Sequence, residues 1–296
     1  MVQTVEASKL LDIGYEKLCS CPSNHINCLT GKEWARCQVG IWEFSYEKRD
    51  VRDKNIHPAV YPIALAAKFI KLFTHEGELV LDPFGGIGTT LVAAQDLNRN
   101  AVSFDLSEKY TEFSRSRLAQ GRLLASSEQI AITDDARNIP SYLRENTVSL
   151  CVTSPPYANM LNRPRLNKSI RGDLRNNKHY LQIQQYSNDT RDLGTLESEK
   201  FAEAIEEIYR GVLPLLKYKA HCVINVNDVW WENKRYPTHI HVVEAMQRAG
   251  YQLRNILIWD KRNLVNKVGI FGWPNNFIKL GTTFEYLLDF WRPPVT

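Results

Sequence analysis

From residue 79 onward, short β-branched runs alternate with stretches of helical spacing. LVLDPFG (79–85) predicts a strand that ends in a glycine turn, and TTLVAAQDLN after it predicts an amphipathic helix. AVSFDL (101–106) predicts a second strand, with Ser107 placed to cap the helix EKYTEFSRSRL. QIAITDDA (129–136) reads as a third strand and VSLCVTSPPY (148–157) as a fourth, stopped by its prolines. Within 198–217, Phe201, Ile205, Ile208, Val212 and Leu216 share one helical face. HCVINVND (221–228) predicts a fifth strand, THIHVVEAMQRAG a helix closing at Gly250, and YQLRNILIWDK a sixth strand. TTFEYLLDFWR (282–292) follows too closely for a long intervening helix. This order predicts an α/β fold with a mainly parallel sheet, right-handed crossovers and an antiparallel pair at the edge.

Residues 158–197 break the rhythm with little apolar periodicity and much Asn, Gln, Arg and Lys. Arg163, Arg165, Lys168, Arg171, Arg175 and Lys178 fall within 163–178 against one acid, Asp173. A long irregular insertion in a compact domain is more often functional than decorative. The chain of 296 residues, 44% hydrophobic and 24% charged, is of ordinary globular composition, and its net charge of +4 permits a polyanionic partner without requiring one. No apolar run is long enough for a membrane span, and the N-terminus lacks a secretory pattern, so a cytoplasmic protein with no membrane partner is expected.

The glycine turn, Asp82-Pro83-Phe84-Gly85-Gly86-Ile87-Gly88-Thr89-Thr90, sits where ligands bind parallel sheets, at a strand's carboxyl end. Its spacing is not the diphosphate-binding G-x-G-x-x-G, and no P-loop lysine follows. Asp105, ending the second strand, is placed to accept hydrogen bonds from two ribose hydroxyls, and Asp135, ending the third, to meet an adenine edge. Taken singly, each acid reads equally well as a helix cap. Together with the glycine turn they suit an adenosyl ligand without phosphates.

Ser154-Pro155-Pro156-Tyr157 supplies the second piece of chemistry. Two prolines end the strand's ladder and fix an extended turn. The Pro155 carbonyl and the Ser154 hydroxyl then form adjacent acceptors for the two hydrogens of an –NH2 group. Tyr157 offers a face for stacking a base, a contact of ~1–3 kcal/mol in nucleic-acid proteins.

The pair D-P-F-x-G-x-G-T-T and T-S-P-P-Y resembles the S-adenosylmethionine-dependent DNA amino-methyltransferases, over roughly residues 57–292. That resemblance implies a Rossmann-like, seven-stranded methyltransferase sheet with an antiparallel edge strand. It implies a domain at 57–296, with 1–56 an extension packed on the core and 158–197 an inserted DNA-recognition segment. HPAVYP (57–62) resembles the family segment lining the methionine end of the cofactor site, which brings in His57, Pro58 and Tyr61. Asp82, Pro83, Phe84, Gly86, Gly88, Thr89, Thr90, Asp105 and Asp135 complete the expected S-adenosyl-L-methionine site, with Ser154, Pro155, Pro156 and Tyr157 catalytic. Ile87 stands where the family often has Ser, Asp134 where it often has Gly, and Phe284 where it usually has His.

The resemblance further implies duplex DNA as partner, with the target base flipped out at a cost of a few kcal/mol, and a cognate restriction endonuclease encoded alongside. The basic residues Arg163, Arg165, Lys168, Arg171, Arg175 and Lys178 fit phosphate contacts. The serine form of the motif resembles cytosine-N4 enzymes, whereas Asp or Asn there is more typical of adenine-N6 enzymes, and adenine stays open. RNA or protein-amide methylation and a non-catalytic DNA-binding partner are the rival readings. Cytosine-C5 chemistry is disfavoured, because no cysteine follows a proline turn. Cys151 and Cys222 sit in apolar runs as core thiols. Cys19, Cys21, His25, Cys28 and Cys37 hold the right atoms for zinc in a loose spacing, which reads as a loop of free thiols; no metal is assigned.

Overall fold

The computed structural model describes residues 10–53, 60–121, 126–156, 189–231, 234–264, 272–273, 277–278 and 282–294. The first elements are α1 (Gly31–Ala35), β1 (Ile41–Glu43), α2 (Lys48–Asp53) and α3 (Ile63–Phe73). Then come β2 (Leu79–Asp82), α4 (Thr89–Asp96), β3 (Asn100–Asp105), α5 (Glu108–Ala119), β4 (Gln129–Thr133) and β5 (Val148–Thr153). The later part contains α6 (Ser198–Val212), β6 (Leu216–Val226), the hairpin β7 (Val229–Trp231) and β8 (Lys234–Tyr236), and α7 (Thr238–Arg248). It ends with β9 (Gln252–Asp260), the short β10 (Gly272–Trp273) and β11 (Phe277–Ile278), and β12 (Phe284–Trp291).

Eight strands form one sheet in the order β1-β9-β12-β6-β5-β2-β3-β4. β12 runs antiparallel to β6 and β9, and the other ladders of this sheet are parallel. This is the Rossmann-like α/β sheet that the strand–helix alternation predicts, with its antiparallel strand toward one edge. The eighth strand is β1, contributed by the segment expected only to pack on the core: Ile41 pairs with Ile258 and Glu43 with Asp260. Three residues are too few for an alternation to show in sequence.

Strand alternation divides the core into two faces. Val80, Leu150 and Val223 pack with Phe69, Ile70 and Leu91 of α3 and α4. Leu79, Leu81, Cys151, Cys222 and Ile224 pack with Ile205 and Ile208 of α6 and Val242 of α7. Cys151 and Cys222 are both fully buried. α6 buries Phe201, Ile205, Ile208 and Val212 as its spacing predicts, but Leu216 already belongs to β6. Pro214 has no N–H to continue an α-helix, and residues 213–215 tighten to a 3-10 turn.

Strand order reverses between β2 and β5. The chain proceeds outward from β2 through β3 to β4, then returns to lay β5 on the other side of β2. At such a switch point the loops leaving neighbouring strands diverge and open a crevice at their carboxyl ends. The loops diverging here carry the glycine turn and Ser154-Pro155-Pro156.

The β1 edge has its own apolar anchor. Trp42 is 3% exposed, its ring lies 5.0 Å from that of Phe69, and Lys68 Nζ sits 4.0 Å over it. Trp42→Ala is expected to cost about 3–5 kcal/mol through cavity formation. Urea denaturation of variant and parent measures it; a loss below about 1 kcal/mol would show that β1 contributes little to the core.

Candidate active site

Asp82 ends β2 and is 1% exposed. Its Oδ1 accepts from Thr153 Oγ1 at 2.5 Å and from the Phe84 N–H at 3.1 Å. Its Oδ2 accepts from the Thr90 hydroxyl and, at 3.3 Å, from Tyr61 Oη; the Thr90 and Tyr61 hydroxyls also bond each other. Burial pushes the Asp82 carboxyl above its ordinary value against the pull of these donors. One carboxylate thus joins β2, β5, the start of α4 and the segment leading into α3. Asp82 and Thr90, expected as cofactor contacts, stand behind the cleft rather than on its wall.

Gly88 stands behind it too. It has φ +78, and a Cβ there would lie 2.0 Å from Ser114 Oγ, so glycine is required both by the backbone and by the packing of α4 on α5. The cleft itself is walled by Tyr61, Pro83, Phe84, Gly86 and Thr89 on one side and by Asp105, Tyr110 and Asp135 on another. Ser154, Pro155 and Pro156 line the same cleft, so the structure brings both motifs to one crevice.

Asp105 ends β3 and turns into the cleft. Its Oδ2 accepts from the Gly86 N–H at 2.9 Å and its Oδ1 from the Ser107 N–H at 2.8 Å. Ser107 occupies the N-cap position of α5 without a side-chain cap bond; Asp105 takes its N–H instead. Burial pushes the Asp105 carboxyl up to about 6, the two N–H donors oppose that, and the charges of Asp192 and Asp82 add to it. Asp135 lines the cleft too, but it accepts from the Arg137 N–H at 2.9 Å and pairs with the Arg137 guanidinium at 3.1 Å. The cap reading therefore describes the contacts of Asp135.

Ser154 Oγ donates to the Asn225 carbonyl of β6 at 3.3 Å, and Asn225 Nδ2 lies 3.5 Å from the same oxygen. That amide nitrogen donates to Glu285 Oε2 at 2.7 Å, and Glu285 pairs with Lys261. A buried polar relay thus runs from Lys261 through Glu285 and Asn225 to the serine, none of its first three members signalled by sequence spacing. Their strands meet only because β12 inserts between β6 and β9. Arg191, Asp192 and Leu193 also line the cleft and carry no motif in the sequence. His57, Pro58, Tyr157 and the six basic residues at 163–178 lie outside the described residues.

The charge of the cleft restricts its ligands. Asp105, Asp134, Asp135 and Asp192 line it, and among the described residues the lining holds one cation, Arg191, which pairs with Asp189 at 2.6 Å. Such a wall repels phosphates and favours a neutral or cationic ligand. Each Asp105 oxygen spends one acceptor site on an N–H, and a carboxylate oxygen has two.

Parts of the chain match known proteins. Residues 24–116, about a third of the chain, match the DNA methylase family model. A stretch of 78 residues is 36% identical to the Type II methyltransferase M.HpaI of Haemophilus parainfluenzae, covering 26% of this chain and 25% of that one. Another of 89 residues is 39% identical to the Type II methyltransferase M.BglI of Bacillus subtilis, covering 30% and 24%. The matched part thus spans about a quarter of each relative's length. The crystal structure of TrmN from Thermus thermophilus aligns with TM-score 0.48 and 17% identity over 80% of this chain and 51% of that one. The chain resembles the DNA amino-methyltransferases, and the family match supports that resemblance.

Removing the Asp82 carboxylate strands donors inside the sheet. Asp82→Ala is expected to destabilise by on the order of 3 kcal/mol, and Asp82→Asn, which retains an acceptor, by clearly less. Equal losses in urea denaturation would show that the hydroxyls re-pair without it.

Proposed function

We propose that this protein methylates the N4 amino group of cytosine within a specific sequence of duplex DNA, using S-adenosyl-L-methionine. The observation that carries the reading is the meeting, at one switch point, of an acidic, phosphate-averse cleft with the Ser154-Pro155-Pro156 turn. When bound, the cofactor supplies an electrophilic methyl group on a positively charged sulfur, a charge that suits four carboxylates. The free acceptor sites of Asp105 take the ribose hydroxyls, and the rings of Phe84 and Tyr110 flank the adenosyl portion. Tyr61, with His57 and Pro58, is assigned to its methionine end.

Ser154 Oγ and the Pro155 carbonyl accept the two amino hydrogens of the target base. The Ser154 hydroxyl donates to the Asn225 carbonyl, which suits its oxygen to act as the acceptor. This arrangement would localise the nitrogen lone pair and orient it for direct displacement, the surplus amino proton leaving to water, and orientation would be the main source of rate gain. Tyr157 stacks on the flipped base. Arg163, Arg165, Lys168, Arg171, Arg175 and Lys178 contact phosphates. No histidine or cysteine lies in the described lining, and direct transfer needs no covalent intermediate. The relatives are Type II methyltransferases, which supports a role beside a cognate restriction endonuclease.

Mass spectrometry of nucleosides from DNA of a methylation-free host expressing the protein tests this. N4-methylcytosine is expected, and Ser154→Ala should abolish it. N6-methyladenine instead would keep the site and change the base; no modified base from folded protein would overturn the reading.

The Asp105 role predicts a pH dependence. Hydroxyl donors prefer the carboxylate, so cofactor affinity should be full well above pH 6 and fall as pH drops through about 6. Asp105→Asn should weaken binding about tenfold at pH 7.5, one charge-assisted hydrogen bond's worth, and flatten the profile. Calorimetric titration between pH 5 and about 8 reads both. An unchanged profile in Asp105→Asn would assign the ribose to another group.

A further inference from the structure

The strongest unassigned chemistry lies at the opposite end of the sheet. The thiols of Cys19, Cys21 and Cys28 and the His75 imidazole converge so that their ligand atoms all lie within 4.8 Å of one another. Cys19 Sγ is 3.2 Å from Cys21 Sγ, 3.5 Å from Cys28 Sγ and 3.2 Å from His75 Nδ1, and Cys28 Sγ is 3.8 Å from His75 Nδ1. None of these is a disulfide, whose sulfurs would stand about 2.05 Å apart. We propose that Cys19, Cys21, Cys28 and His75 form a structural zinc site that pins the N-terminal segment to the methyltransferase core.

The separations are close to those of a coordination tetrahedron. With Zn–S about 2.3 Å and Zn–N about 2.0 Å, tetrahedral edges are about 3.8 Å between sulfurs and about 3.5 Å between sulfur and nitrogen. The sulfur–nitrogen separations of 3.2 and 3.8 Å bracket their edge, and the sulfur–sulfur separations of 3.2 and 3.5 Å fall a few tenths of an ångström short of theirs. Three thiolates with one imidazole are a closed, all-protein ligand set, characteristic of structural rather than catalytic zinc. Cysteines packed without purpose would have no cause to turn three sulfurs toward a histidine from another element.

The local backbone is built for this convergence. Ile26 and Leu29 exchange both backbone hydrogen bonds, closing a tight turn over Asn27, at φ 53, and Cys28. The Asn27 side chain donates to the Leu72 carbonyl, and the Leu18 N–H donates to the Glu76 carbonyl at 2.8 Å, so both sides of the cysteine loop rest on the end of α3. His75 is held in turn: its N–H donates to Glu78 Oε2 at 2.6 Å, and Arg99 grips the Thr74 carbonyl at 2.9 Å. Gly77, at φ +84, admits the loop because a Cβ there would lie 2.4 Å from Leu18 Cγ. The histidine is therefore His75, 47 residues beyond Cys28, and not the nearby His25. Cys37 stands apart from the cluster, packed against the Trp42 side of the core.

Metal analysis of the full chain, purified without chelator or affinity metal, tests the assignment. One zinc per chain is expected, exchangeable for Co2+ with thiolate charge-transfer and tetrahedral d–d absorption. Cys28→Ser and His75→Ala should lose the metal, His75→Cys should retain it, and Cys37→Ser and His25→Ala should leave it in place. Stripping zinc from the parent should lower its thermal midpoint and open residues 10–29 to protease. The proposal fails if the folded parent carries no stoichiometric metal. A Cys19–Cys21 or Cys19–Cys28 disulfide, or metal lost equally from Cys37→Ser, would also overturn it. The parent's own metal content decides the matter even if every ligand variant misfolds.

Discussion

A carboxylate with almost no access to water sets the geometry on which the candidate site depends. Burying a charge is costly unless its lone pairs are taken up, and Asp82 collects donors from Tyr61, Phe84, Thr90 and Thr153. Those donors come from both sides of the strand reversal. Thr153 is the residue immediately before Ser154, so the hydrogen bond from β5 to Asp82 fixes where the Ser-Pro-Pro turn begins. Thr90 and the Phe84 N–H fix where the glycine turn ends and begins. The crevice that sheet topology opens is thereby given one shape, with both motifs at set positions on its rim.

The second constraint is electrostatic. Burial raises the cost of keeping Asp105 ionised, and the charges of Asp192 and Asp82 add to it, which is why its carboxyl rises to about 6. A cation relieves that cost and a phosphate worsens it. On the proposed chemistry the field has a further consequence, because methyl transfer turns a sulfonium into a neutral thioether. On that reading the acidic wall would attract the donor more than the spent product, which would favour exchange after turnover.

How much of this the sequence discloses depends on the range of each interaction. The long strands and helices from 79 to 291 show in local periodicity, the short β7, β8, β10 and β11 do not, and the two motifs are read from contiguous residues. Asp82, Gly88 and Thr90 illustrate the limit: the motif identifies the residues, but only the fold shows that they support the wall instead of forming it. Asp135, which the sequence offers as a cofactor contact, lines the cleft while making the contacts of a cap. Asn225, Glu285 and Lys261 carry no local signal, because what joins them is the insertion of β12 between β6 and β9. Spacing rules fail for the cysteines for the same reason. They look for a partner histidine nearby and offer His25, while the chain folds His75 into place from the end of α3.

The N-terminal segment links these observations. Its described part runs past the amino ends of the central strands, where the Gly14 carbonyl accepts from Asn100 Nδ2 at 2.9 Å, and passes through the cysteine cluster. It then crosses the α3 face and ends as β1 beside the carboxyl end of β9. There Phe44 lies edge-on to Trp259 at 6.3 Å, and Lys261 Nζ sits 4.7 Å over the same indole. Lys261 is the outer member of the relay through Glu285 and Asn225 to Ser154. A contact chain therefore runs from the segment's strand to the serine, although the cysteine cluster lies at the other end of the sheet. A cation over an indole is held in direction as well as in energy, so Trp259 fixes the position from which Lys261 orients Glu285. An anchor at Cys19, Cys21, Cys28 and His75 fixes one end of that segment, and the β1–β9 ladder fixes the other. The active-site relay is then supported from the edge of the sheet as well as from its centre at Asp82.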